Sequence, residues 1–180
     1  KEKAKKIIKR KSLNSKSHLW GWKDPRSTLI LPFWRDLANG IRVIGIYRAP
    51  WDVSDSLQRL NHPLFRKNPS IILPLWFIYN KRLLEYIEAE KVKTILINAE
   101  SLSAFPQDLI DILNDRWDWN IDKNNCGEAL SGIVLKDKLK SINLPDPIEP
   151  LYENIFPEIM AIWHRLENNS DLKKSKKFNN

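Results

Sequence analysis

A parallel α/β sheet flanked by helices is the fold class that three observations predict. Arg42 to Tyr47 (RVIGIY) is a near-continuous apolar run rich in β-branched residues, as a strand buried on both faces should be. Thr94 to Asn98 (TILIN) is a second run of the same kind. Between them lies a long stretch with a helical apolar stripe, Ile72, Leu75, Trp76, Tyr79, Leu83 and Tyr86. Strand–helix–strand order joins two strands running the same way.

The remaining elements follow from local chemistry. Residues 3 to 11 predict a short basic helix with Ile7 and Ile8 on one side, and Ser12 to Ser17 is polar. Trp20-Gly21-Trp22 reads as a short strand ending at Lys23-Asp24-Pro25-Arg26, where Pro25 disfavours helical geometry at Asp24. Ser27 or Thr28 can cap a helix through about Ala38, which Asn39-Gly40 stops. After the first strand Pro50 suits the first position of a helix reaching about Leu60, and Asn61 to Pro69 reads as loop. Ser70 caps the long helix, which runs to about Ala89. A further helix is expected from about Pro106 to Leu113. Beyond Arg116 the pattern weakens, with Pro145, Pro147 and Pro150 as a stiff connector. Leu151 to Leu166 carries a helical stripe that Pro157 should kink, and the chain from Asn168 is polar and expected to be mobile. The organisation predicted is a basic extension over residues 1–18, an α/β domain over 19–168 and a polar tail over 169–180.

Composition narrows the function classes. The 180 residues are 42% hydrophobic and 29% charged, with eight Trp, six Phe and four Tyr, enough apolar mass for a core. Disorder throughout, collagen and a disulfide framework are excluded. The net charge of +8 is uneven: residues 1–16 carry +7 and residues 171–180 carry +3, which leaves −2 on residues 17–170. No aromatic residue interleaves the first basic run, so a nucleic-acid arm is the weakest of the readings considered. Cys126 is the only cysteine, which suits a reducing, cytoplasmic compartment. The longest apolar run, Ile71 to Tyr79, is about half the ~20 residues a membrane helix needs and contains Pro74. Lys1 to Lys16 lacks the apolar segment of a signal peptide, and the only Met is Met160; the chain reads as an interior or trimmed portion of a protein.

Several common sites are absent. His18, His62 and His164 are scattered, with no cysteine or paired carboxylate at zinc-ligand spacing. There is no Gly-x-Ser-x-Gly elbow and no Gly-x-Gly-x-x-Gly. Gly40 and Gly45, and Gly127 and Gly132, have the spacing of a phosphate-loop glycine pair, but Ile46 and Ile133 stand where Lys must be. No phosphate-cradling glycine loop lies in this chain.

Two clusters are informative. Arg48 follows the first strand immediately and precedes a helix, which places its guanidinium at the carboxyl edge of a parallel sheet, where open α/β folds bind ligands. Ser56 lies about two helical turns further on, and an arginine fork with a hydroxyl and a helix N-terminus suits a terminal phosphate monoester. The alternative is an Arg48 paired with Asp52 or Asp55 and a Ser56 exposed on a helix. Lys23, Asp24 and Arg26 form the second cluster: a cation for developing negative charge beside a carboxylate able to accept a proton. The alternative there is a turn whose charges neutralise one another.

The stretches Trp20-Gly21-Trp22-Lys23-Asp24-Pro25-Arg26 and Tyr47-Arg48-Ala49-Pro50-Trp51-Asp52-Val53-Ser54-Asp55-Ser56-Leu57 resemble the sulfotransferase family, in its bacterial branch related to the Golgi carbohydrate sulfotransferases. Asn68-Pro69, the segment Trp76 to Asn80 and Ile95-Leu96-Ile97-Asn98 are similar to that branch as well, so the resemblance covers roughly Leu19 to Leu113. It implies a P-loop NTPase-like parallel sheet flanked by helices, incomplete on its N-terminal side, and the donor 3′-phosphoadenosine 5′-phosphosulfate, whose product is adenosine 3′,5′-bisphosphate. It implies no metal. Arg48, Pro50, Asp52 and Ser56 match the family's Arg-x-Pro-x-Asp-x-x-x-Ser pattern, in which Arg and Ser bind the 3′-phosphate. Lys23 resembles the lysine beside the sulfuryl group and leaving phosphate, Asp24 falls close to where some relatives carry the acceptor base, and Arg26 supports the nucleotide. The acceptor implied is a hydroxyl of a carbohydrate or small molecule, with neither nucleic acid nor membrane as partner. The family's glycine-containing 5′-phosphosulfate loop should lie upstream of Trp20, yet no Gly precedes Gly21. The rival reading is therefore a noncatalytic, truncated module that binds nucleotide or a partner.

Overall fold

The structure is a computed structural model, and it describes residues 2–14, 20–38, 40–124 and 148–173. Helix α1 spans Glu2–Asn14, and a 3₁₀ turn at Pro25–Ile30 passes directly into α2, Leu31–Leu37. Strand β1 (Val43–Tyr47) is followed by α3 (Pro50–Arg59), α4 (Pro63–Lys67) and, after a 3₁₀ turn at Pro69–Ile71, α5 (Ile72–Ala89). Strand β2 (Thr94–Asn98) leads into α6 (Ala99–Ala104) and α7 (Pro106–Trp117). A 3₁₀ turn at Lys91–Lys93 precedes β2, and helices α8 (Ile148–Ile155) and α9 (Pro157–Asn169) follow α7 among the described elements.

The class is mixed α/β, mostly helical, with a small parallel sheet of two strands among the described residues. Val43 lies opposite Thr94, and the register continues to Tyr47 opposite Asn98. One face of the sheet, with Tyr47 and Leu96, packs on Trp76, Leu83 and Leu84 of α5 and on Met160, Trp163 and Leu166 of α9. On the other face Ile95 and Ile97 pack under Leu113 and Trp117 of α7. At Gly45 α5 lies close against β1: a Cβ there would stand 3.0 Å from Leu83 Cδ1 and 3.3 Å from Leu96 Cδ1, tighter than ordinary contact. No helix among the described residues is long and apolar enough to cross a membrane.

The structure corrects several expectations. All five residues of β2 are buried, but β1 is covered on one face only, with Ile44 39% and Ile46 55% exposed. The reason is lateral: Ile44 and Ile46 share the face of Ile95 and Ile97, and α7 covers β2 alone. Trp20-Gly21-Trp22 is not a strand, because it finds no ladder partner among the described residues. Neither Ser27 nor Thr28 caps α2: both lie inside the 3₁₀ turn, which Asp24 caps by accepting the Arg26 backbone N–H at 3.0 Å, and α2 itself follows Ile30 with no side-chain cap. The expected loop Asn61 to Pro69 contains α4, capped by His62 Nδ1, which accepts from Leu64 N–H. Ser70 does not cap α5 but sits in the preceding 3₁₀ turn.

Pro150 belongs to α8 rather than to a connector, while Pro145 and Pro147 lie outside the described residues, as do Cys126, Gly127 and Gly132. Pro157 separates two helices instead of kinking one, since a proline is tolerated at the first helical position, where no N–H is needed. The chain after Asn168 is not loose as far as Lys173. Asp171 N–H donates to the Leu96 carbonyl at 2.8 Å, Asn98 N–H donates to the Leu172 carbonyl at 2.9 Å, and Leu172 forms a parallel bridge with Ile97.

Candidate functional site

Tyr47, the last residue of β1, is 2% exposed, and its hydroxyl donates to Glu167 Oε1 of α9 at 2.7 Å. Burial, with the Glu167 carboxylate close by, pushes its phenol well above the usual tyrosine range. Asn98, at the same level of β2, donates to that Glu167 oxygen at 3.2 Å and accepts the N–H groups of Glu100 and Ser101 at the start of α6. One carboxylate thus ties together the carboxyl ends of both strands. The next residue, Arg48, is held through its backbone: the Trp76 indole N–H donates to the Arg48 carbonyl at 2.9 Å. Ala49 is extended and Pro50 opens α3, so the chain turns sharply and leaves the Arg48 side chain at the sheet's carboxyl edge.

A cleft of about 1370 Å³ runs along β1, lined by every residue from Ile41 to Arg48. Trp76, Tyr79 and Asn80 of α5 and Val53 and Leu57 of α3 form another wall, and Ile8 of α1 also reaches it. Among the described residues the charged side chains lining it are Lys23, Arg42 and Arg48 against one carboxylate, Asp24, a surplus of positive charge suited to an anion. Arg42 is engaged, with its guanidinium 5.5 Å from the Trp117 ring and 5.6 Å from the Trp119 ring. Arg48 is half-buried, and among the described residues its guanidinium makes no hydrogen bond or ion pair. Asp55, a candidate partner on spacing, is taken by Arg59 at 2.5 Å.

The structure therefore brings Lys23, Asp24 and Arg48 to one cleft and leaves Ser56 and Arg26 out of its lining. Ser56 is half-buried on α3, where Val53 and Leu57 face the cleft instead. Arg26 folds back on its neighbour: Nε lies 3.0 and 3.2 Å from the two Asp24 oxygens and Nη2 lies 2.8 Å from Oδ2. These hydrogen bonds hold the Asp24 carboxyl below the usual carboxylate range, and a carboxylate so engaged takes up a proton poorly. Among the described residues no three His, Cys, Asp or Glu side chains gather as metal ligands. His164 pairs with Glu153 and His62 caps α4, whereas His18 lies outside the described residues.

Two features escaped sequence reasoning. The stripe and the resemblance both include Trp76, yet neither assigns its indole N–H, although a buried indole N–H needs an acceptor and a strand-to-helix turn has carbonyls to offer. The rings of Trp20 and Trp22 lie 5.8 Å apart and those of Trp22 and Trp34 5.1 Å apart, with Trp22 Nε1–H donating to Ser27 Oγ at 3.1 Å. Three tryptophans so close in sequence were the available signal. Comparison with known proteins finds no matching family model, no matching curated protein and no matching solved structure.

Proposed function

We propose that the cleft binds the 3′-phosphate end of an adenosine 3′,5′-bisphosphate nucleotide and that the chain is part of a sulfotransferase using 3′-phosphoadenosine 5′-phosphosulfate, with a P-loop NTPase-like fold. One observation carries the reading: Arg48 stands at the carboxyl end of β1 in a net positive cleft, with a guanidinium uncommitted among the described residues. A planar guanidinium offers two parallel N–H groups to a phosphate, and each such charge-assisted contact is strong where water is partly excluded. Sulfuryl transfer forms a bond from the acceptor hydroxyl oxygen to sulfur while the bond from sulfur to the leaving phosphate oxygen breaks. Lys23 would neutralise the charge that grows on that leaving oxygen, as cations do in phosphoryl transfer. The acceptor's proton must pass to a base; Asp24 is nearest in sequence, but its bonds to Arg26 favour a group other than Asp24 for that step. The acceptor is a carbohydrate or small-molecule hydroxyl, the reading calls on no metal, and a chain with one cysteine suits a cytoplasmic setting.

Titration calorimetry with adenosine 3′,5′-bisphosphate tests the assignment. Arg48→Ala should bind about 10- to 100-fold more weakly, the loss of a charge-assisted contact of about 1.5–3 kcal/mol. Equal affinity of the two proteins sinks the Arg48 assignment. A second reading, a nucleotide-binding module without catalysis, is favoured by the strand-to-helix turns themselves: neither Tyr47 to Pro50 nor Asn98-Ala99 contains a glycine to let backbone N–H groups approach a phosphate. Nucleotide binding without transfer of sulfate from the donor to any hydroxyl would select it.

A further inference from the structure

We infer that Trp20 and Trp22 form a stacking platform at the rim of the cleft for a pyranose ring of a carbohydrate. That the sugar is the acceptor rests on the sulfotransferase reading; that a sugar binds there does not. Trp22 is 43% exposed, a large apolar surface to leave in water. It is also held in place: Trp34 packs on one side at 5.1 Å, Trp20 lies 5.8 Å away with the ring planes at 31°, and Ser27 Oγ takes the indole N–H. With its polar tip satisfied by Ser27, the ring offers the cleft an apolar, electron-rich surface. Both Trp20 and Trp22 line that cleft, next to Lys23, Asp24 and Thr28.

The ligand class follows from this pairing of surfaces. A pyranose presents one face of C–H groups, weakly positive, which lie well against the negative face of an indole, and a rim of hydroxyls that both donate and accept. The Lys23 ammonium, the Thr28 hydroxyl and the remaining lone pairs of Asp24 are the partners such a rim needs. A planar base sandwiched between the two indoles would need about twice the ~3.5–4.0 Å carbon contact distance, and 5.8 Å between centroids does not provide it. The platform therefore takes its ligand on an outer face, with the sugar's hydroxyls turned toward Lys23.

An array of neutral and acidic pyranose oligosaccharides, probed with the wild-type chain, Trp22→Ala and Trp22→Phe, tests this, with adenosine 3′,5′-bisphosphate affinity measured in parallel. The wild type should retain a subset of the glycans, Trp22→Ala should lose at least 10-fold on that subset, and Trp22→Phe, which keeps an aromatic face and so guards against simple misfolding, should keep most of it. The inference is overturned if the wild type retains no glycan above the level of Trp22→Ala, or if all three proteins retain the same glycans equally. It is also overturned if Trp22→Ala weakens nucleotide binding as much as Arg48→Ala does, because the ring would then serve the donor's base. If instead Arg48→Ala leaves nucleotide affinity unchanged while glycan retention depends on Trp22, the donor assignment fails and the platform stands.

Discussion

The outer edges of β1 and β2 are finished in opposite ways. Beside β2 the chain at Ser170–Leu172 runs along the strand as a third, stub-like partner. Asp171 is its clasp: its carboxylate accepts Leu96 N–H at 2.8 Å and pairs with Arg116, whose guanidinium also donates to the Thr94 carbonyl at 3.1 Å. Ser101 and Ser170 close the remaining gaps through their hydroxyls, to the Lys173 and Leu96 carbonyls. Beside β1 no strand lies among the described residues; the strand borders the cleft and shows Ile44 and Ile46 to it. An edge strand leaves a row of backbone donors and acceptors unpaired, and proteins ordinarily cover such rows. Here the covered edge serves stability and the uncovered edge coincides with the cleft that holds Arg48.

The contrast breaks hardest at Asp171. Asp171→Ala strips an acceptor from both Leu96 N–H and the Arg116 guanidinium and should lower the unfolding free energy by about 2–4 kcal/mol. Urea unfolding reads this directly; a loss below about 0.5 kcal/mol, the ordinary range of a surface substitution, would mean the β2 edge is not clasped.

A smaller effect is expected at the joint between the two edges. Tyr47→Phe removes the hydrogen bond to Glu167 and should lose about 1 kcal/mol at neutral pH. The phenol's ionisation is raised in the folded state, so its contribution is fully present below the unfolded value of about 10 and is lost as pH rises beyond it. Wild-type stability should therefore fall more steeply above about pH 10 than that of Tyr47→Phe. Tyr86 and Tyr152 are also shifted upward by burial, so the variant flattens the fall only in part. Identical alkaline curves for the two proteins would show that Tyr47 is not the group involved.

The least effect is expected on the uncovered side. Ile46→Thr keeps a β-branched residue at a position 55% exposed and should change stability by no more than about 0.5 kcal/mol. A loss well above about 1 kcal/mol would reveal a covering on β1 and undo the contrast.

Much of the fold was legible in short stretches. The two β-branched runs became β1 and β2, Pro50 opened α3, and four of the six stripe residues, Ile72, Trp76, Leu83 and Tyr86, are buried on α5, while Leu75 and Tyr79 line the cleft. Arg48 was legible for the same reason, since a strand followed at once by a helix puts the intervening residue at the sheet's carboxyl edge. Ser56 was not, because its placement depends on which side of α3 turns to the cleft, and that is set by packing against α5. For Asp24 and Arg26 the sequence is equally compatible with a catalytic corner and a neutralised turn. The bidentate contact between them shows that the turn captures Arg26, while Lys23 beside them still lines the cleft.

Periodicity, β-branching and proline chemistry act over a few residues, and they suffice to place β1, β2, α3 and α5, the parallel pairing and the position of Arg48. Which face of β1 stays bare, which edge is clasped and which charges keep a free side depend on partners far away in the chain, such as Asp171 on Leu96 and Glu167 on Tyr47. No local pattern encodes those meetings. They arise only when α9 and the segment after it fold back across the sheet, and that return separates a stabilised edge from an open one.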